Sequence, residues 1–231
     1  MGRAHRPAHQ PAPAAHTAAV TDMVHRARTF MDEGGTSLVW DATRRGPGLS
    51  PTPVHSTTTT PMPITCSHLV GMVLAGWEYQ STTYVQDVNK RTGWYSPLGL
   101  EPHRAPIWQA HRCAHHFWRR GRLWLVEDTT TLRTGDVLFF SQHDPESTWE
   151  RVRARSLRPY FGNVYHTAIY LGGGRILQST GPSSPTGVWE ADLSTLESTL
   201  TWAARPEWVP PEHTSLSVLV DGLESPVDTT L

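Results

Sequence analysis

The chain has 231 residues, 38% of them hydrophobic, enough for one domain with a buried core and flanking tails. A formal net charge of −1 gives no global attraction to polyanions, so neither a nucleic-acid nor a membrane partner is expected. Two cysteines, Cys66 and Cys113, are too few for a disulfide framework and read as free thiols.

In chain order, residues 1 to 17 are rich in Ala, Pro and His and have no periodicity, which predicts a disordered tail. From Ala18 to Met31 the residues Val20, Met23, Val24, Ala27, Phe30 and Met31 recur at helical spacing, and Gly34-Gly35 ends the run, as a packing helix would. Ser37 to Asp41 reads as a short extended segment, followed by a Pro-, Thr- and Ser-rich loop as far as Pro63. Pro61 and Pro63 keep the chain extended; after them Leu69, Val70, Met72, Val73, Leu74 and Trp77 make a helical apolar stripe. Cys66 therefore stands at a helix N-terminus. The free N–H groups and partial positive charge of a first turn favour a thiolate, which lowers the thiol pKa towards neutrality and suits a nucleophile. A small buried core residue would occupy the same position equally well.

Residues 81 to 104 read as irregular, and a second helix is expected from Ala105 to Arg119. His111 and His115 stand one turn apart there, and with Cys113 and His116 they raise a zinc reading. Two ligands on one helix need two more elsewhere, and neither Cys-x-x-Cys nor His-Glu-x-x-His accompanies them. No metal and no other cofactor is expected. Strands follow at 123–127, 137–141, 164–171, 175–179, 187–192 and 200–205. Val137 to Phe140 is apolar on both faces, hence central, and Asp136 before it reads as a turn former more than a catalytic acid. The insertion at 142–162, with Arg151, Arg153, Arg155 and Arg158, reads as a solvated loop, with a substrate lid as the alternative. Residues 210–231 read as a tail or an edge strand, and most of the ten tryptophans as core.

The run from Val164 to Gln178 alternates, breaks at Gly172-Gly173-Gly174 and resumes, the pattern of a β-hairpin. His166 and Gln178 then fall on neighbouring strands, close enough for a side-chain hydrogen bond. Cys66, His166 and Gln178 make a nucleophile, a base and a group that orients the base.

Three segments, T-C-S-H-L-V at 65 to 70, L-R-T-G-D-V-L-F-F at 132 to 140 and H-T-A-I-Y-L-G-G-G-R-I-L-Q at 166 to 178, resemble the signatures of the NlpC-type cell-wall cysteine peptidases in order and spacing. The resemblance spans roughly residues 20 to 205. It implies an α+β, papain-like fold: one domain over 18–209, in which N-terminal helices including the nucleophile helix pack on an antiparallel sheet. It also implies a peptidoglycan stem peptide as partner, cleaved typically between D-glutamate and the diamino acid by Cys66, His166 and Gln178. Trp40 corresponds to the cleft aromatic that precedes the nucleophile, and Ser67 and His68 are expected to touch substrate beside Cys66. The family usually has Asp before the cysteine and Gly two after it, whereas this chain has Thr65 and His68. Thr65 can still cap the helix through its hydroxyl; His68 either lines the site or packs beside it. Three other readings stay open: an amidase or acyltransferase acting on another substrate, a decayed peptidase domain serving as a binding component of a phage tail or injection particle, and a metal-dependent protein using the histidines at 111 to 116. No stretch is long and apolar enough to cross a bilayer, and the N-terminal residues lack the hydrophobic core of a secretory signal. The chain is thus expected to be soluble, made in the cytoplasm and to reach a wall after lysis, in a particle or by non-classical export.

Overall fold

A strand that is apolar at every position must be covered on both faces and paired on both edges. Val137–Ser141, apolar from Val137 to Phe140 and ending on Ser141, is buried along its whole length, and the domain is layered around it. The computed structural model describes residues 13–34, 38–40, 54–55, 62–80, 83–86, 93–96, 109–142, 161, 163–181 and 187–210. The expectations for residues 1–12, for most of the insertion at 143–160 and for the tail at 211–231 lie outside them.

The described elements are α1 (Pro13–Gly34), β1 (Leu38–Trp40), β2 (Val54–His55), β3 (Met62–Ile64), α2 (Cys66–Leu74), β4 (Tyr79–Gln80), β5 (Thr83–Gln86), α3 (Ala110–Arg119), β6 (Leu123–Leu125), β7 (Val137–Ser141), β8 (Val164–Gly172), β9 (Arg175–Thr180), β10 (Gly187–Asp192) and β11 (Leu200–Ala204). Six of them form one antiparallel sheet in the order β10-β9-β8-β7-β11-β6. The last strand among the described residues, β11, thus inserts between β6 and β7.

The three helices cover one face, where Met23, Phe30, Leu69, Val73, Phe117, Phe139, Ile169 and Leu177 share a core. The other face carries a second cluster that includes Leu138, Phe140, Tyr170 and Ile176, together with Leu193 from a 3-10 turn. The fold is α+β, with the cysteine-bearing helix laid on an antiparallel sheet, as expected. All nine residues of α2 are buried, where a one-sided stripe was expected, because α1 and α3 pack beside the helix on the same face of the sheet.

Several boundaries differ from the sequence reading. Helix α1 begins at Pro13, five residues before the expected start and inside the expected tail; proline is tolerated in a first turn because it has no N–H to leave unpaired. Helix α3 begins at Ala110, after the cap position Gln109, and the expected start at Ala105 lies outside the described residues. The stretch read as irregular contains β5, which pairs with both β2 and β4. Pairing between Val54–His55 and a strand some thirty residues later leaves no local signature. Strand β6 ends at Leu125 and not at Glu127. Two glycines, Gly173 and Gly174, join β8 to β9 with φ of +57° and +73°, the two positive values that a tight two-residue hairpin turn requires. Among the described residues no helix is long and apolar enough to cross a membrane.

Candidate active site

Cys66 is the first residue of α2, and its neighbours explain why the helix begins there. Strand β3 runs extended up to Ile64, and Thr65 caps the helix, accepting a hydrogen bond from the His68 N–H at 3.4 Å. Strand β3 is fixed in turn by the Ser179 hydroxyl, which donates to the Ile64 carbonyl at 3.2 Å. This bond ties the segment leading to Cys66 to the strand that carries Gln178.

His166 and Gln178 are neighbours across the hairpin. Ile169 pairs with Leu177, so Gln178 lies one step further on, diagonal to His166 on the adjacent strand. Their side chains meet at 2.7 Å between His166 Nε2 and Gln178 Oε1. An amide oxygen can only accept, so Nε2 carries the proton and the lone pair of the neutral ring is on Nδ1. Burial holds the imidazole neutral, lowering its pKa to about 4 against the opposing hydrogen bond from Gln178. The Phe140 ring lies alongside at 5.5 Å between centroids.

The sulfur of Cys66 approaches the same strand one residue on. The Thr167 backbone N–H meets it, as do the N–H and hydroxyl of Ser67, and no hydrogen bond joins the thiol to the His166 ring. The expected lowering of the thiol pKa is overturned. Desolvation raises it above the ordinary value, and the Thr167 N–H on β8, with the Ser67 and Cys66 N–H groups at the helix start, only partly offsets that effect. A helix terminus lowers a thiol pKa where the thiol is open to water, whereas Cys66 is only 8% exposed.

Ser67 and His68 are also nearly closed off, at 4% and 9% exposure. The Ser67 hydroxyl points back to the thiol and lies 3.5 Å from that of Thr65. Burial lowers His68 to about 4, so it is neutral at pH 7. Trp40 pairs with Ile64, two residues before Cys66, and packs on Gly181, where an added Cβ would come within 2.9 Å of the Trp40 Cβ. It therefore lies at the end of β9 that follows Gln178. Cys113 is buried in α3, its thiol pushed up by desolvation and by the nearby Cys66. Among the described residues no group of three His, Cys, Asp or Glu side chains is placed to hold a metal ion. His115 is instead stacked on Trp118 at 5.6 Å.

Asp136 is taken up by structure. One of its carboxylate oxygens accepts the Arg133 N–H at 2.8 Å, which closes the turn into β7, and both oxygens accept from Arg205 at 2.9 Å.

No family model matches the sequence, and no curated protein matches it. Solved structures are similar in fold at low identity. The peptidoglycan hydrolase RipB from Mycobacterium tuberculosis shares 16% identity at a TM-score of 0.44, over 85% of this chain and 69% of that one. NlpC2 from Trichomonas vaginalis shares 14% at 0.41, over 81% of this chain. An NlpC/P60 family protein from Bacillus cereus shares 15% at 0.43, again over 81%. This chain spans only 47% of the Trichomonas protein and 40% of the Bacillus one.

Four features near the site were missed by the sequence reading: the Thr167 N–H at the sulfur, the Phe140 ring beside the imidazole, and Tyr165 with its partner Thr199. A backbone donor carries no sequence signal. Phe140 and Tyr165 sit in runs that signal a strand without marking which ring touches the histidine, and Thr199 lies in a 3-10 turn that carries no such signal.

Proposed function

We propose that this domain is a cysteine hydrolase that cleaves amide bonds of peptidoglycan stem peptides, between D-glutamate and the diamino acid. Cys66 is the nucleophile, His166 the general base and Gln178 the group that orients it. The observation that carries the chemistry is the 2.7 Å bond from His166 to Gln178, because it fixes the tautomer that leaves Nδ1 free to accept a proton. The substrate class rests on the order and spacing of the three sequence segments at 65 to 70, 132 to 140 and 166 to 178.

Both partners start neutral, a protonated thiol and an unprotonated imidazole. Attack and proton transfer therefore occur together. As the Cys66 sulfur bonds to the amide carbon, its proton passes to Nδ1 of His166; unliganded sites commonly hold such pairs at longer range than the reacting complex does. The Cys66 backbone N–H receives the developing oxyanion, at a typical worth of about 3 kcal/mol for such a donor. The imidazolium then protonates the leaving amine as the C–N bond breaks, and water deprotonated by His166 hydrolyses the thioester.

Digestion of purified peptidoglycan by the wild-type protein and by Cys66→Ala, read by mass spectrometry, tests this. New stem-peptide termini from the wild type alone are the expected result. Transfer of an acyl group without net hydrolysis would point to an acyltransferase. No release, with Cys66 unreactive to a thiol alkylator at neutral pH, would leave a binding role.

A further inference from the structure

Neighbouring residues on a regular strand point to opposite faces, so adjacent side chains do not normally lie ring against ring. Tyr165 and His166 do. Phe140 pairs with His166 but Ser141 pairs with Val164, so Tyr165 is the extra residue of a β-bulge. A bulge re-aims the side chains beside it and is a recurrent device next to active sites. Here it brings the Tyr165 ring within 6.1 Å of the imidazole, with the two planes 29° apart.

The phenol is also tied at its far end. Its oxygen lies 3.3 Å from the Thr199 hydroxyl oxygen, and that hydroxyl donates its one proton to the Leu196 carbonyl at 3.0 Å. Tyr165 must therefore be the donor in the pair, which fixes the direction of its O–H as well as the position of its ring. Tyr165 is nonetheless 42% exposed, one of two large hydrophobic side chains that are exposed among the described residues. Core packing does not account for an exposed aromatic that is bulged, stacked and tethered.

Building on the proposed Cys66, His166 and Gln178 roles, we propose that Tyr165 is a positioning residue for His166: the bulged ring, held through Thr199, keeps the imidazole in the orientation that presents Nδ1 to Cys66. Gln178 fixes one end of the imidazole, whereas Tyr165 restrains its plane. The same arrangement makes Thr199, on the turn before β11, a remote part of the site.

Alkylation of Cys66 by iodoacetamide at pH 7.5 tests this without assuming any substrate, with peptide mass spectrometry distinguishing Cys66 from Cys113. The proteins compared are wild type, His166→Ala, Tyr165→Ala, Tyr165→Phe, Thr199→Val and the Tyr165→Phe/Thr199→Val double variant. His166→Ala is expected to slow labelling by at least about tenfold, as loss of a general base does. Tyr165→Ala should slow it by about three- to tenfold, the effect of removing one aromatic contact. Tyr165→Phe removes only the tether, and Thr199→Val removes the tether together with the bond to the Leu196 carbonyl, so each should give a smaller loss than Tyr165→Ala, and the double variant should lose no more than Thr199→Val alone. In peptidoglycan digestion the Tyr165→Ala loss should fall on kcat and leave KM unchanged. A merely structural tyrosine would not produce that split. If His166→Ala slows labelling and Tyr165→Ala does not, the positioning role is overturned while the Cys–His pair stands. If His166→Ala labels like wild type, the pair itself fails, and the role of Tyr165 fails with it.

Discussion

Gln178 separates orientation from basicity within one side chain. Its hydrogen bond favours the protonated ring and so raises the His166 pKa, but burial lowers it further, to about 4. Gln178→Ala removes the raising influence, so the acid limb of kcat/KM moves below its wild-type position while the plateau drops about tenfold to a hundredfold as the tautomer is released. Gln178→Glu should do the reverse on the pH axis: a carboxylate at 2.7 Å stabilises imidazolium and moves the acid limb up towards neutrality. A pH profile of the two variants beside wild type decides it, and an unchanged plateau in Gln178→Ala would remove the orienting role. The twelve-residue interval from His166 to Gln178 was legible because a glycine turn lets both strands be counted from it. The protonation state of Cys66 was not. It depends on how completely the start of α2 is buried, and the residues that meet the thiol there, Thr167 on β8 and Cys113 on α3, lie more than forty residues further along the chain.

At the scale of elements, polar anchors hold what the apolar pattern only outlines. Arg26, 1% exposed on α1, donates to the Val73 carbonyl at 3.1 Å and to the Trp94 carbonyl, while the Trp94 N–H donates to Asp22 at 3.0 Å. The residue before Trp94 is necessarily small: Gly93 has φ +59°, and an added Cβ would lie 2.2 Å from an Asp22 carboxylate oxygen. The helix periodicity of α1 was legible, but these bonds reach across 47 to 72 residues and follow no spacing rule. Arg205 does similar work at the sheet. It pairs with the buried Asp136 at the entry to β7 and lies over the Trp124 ring at 5.0 Å. Arg205→Ala leaves a carboxylate uncompensated and should cost about 3 kcal/mol, or about 6 to 12 °C in Tm for a domain of this size. Asp136→Asn still accepts the Arg133 N–H, so it should cost less and leave kcat within about twofold of wild type. Thermal unfolding together with a digestion assay tests both, and a collapse of kcat in a folded Asp136→Asn protein would return Asp136 to the catalytic candidates.

For the whole molecule, groups buried in their neutral forms predict a stability plateau bounded on both sides. His68 and His166 each have a folded pKa of about 4, below the value of about 6.5 in an unfolded chain. Between those two values the unfolded state binds more protons than the folded state. Stability is therefore fully present above about pH 6.5, falls as the pH drops through that window, and loses nothing further from these two groups once both states are protonated. Each histidine accounts for about 3 kcal/mol over the window. Cys66 and Cys113 act in the opposite direction: burial raises both thiols, so their contribution is present below the ordinary thiol value and declines as the pH rises past about 8.5. Urea unfolding from pH 4 to 10 should therefore show a plateau between about 6.5 and 8.5, steep on the acid side. In His68→Gln the acid slope should fall by about half while the alkaline side is unchanged. A wild-type curve flat from pH 7 down to 4 would mean that the two imidazoles are open to water, and the dry, neutral Cys–His arrangement proposed for catalysis would be lost with it.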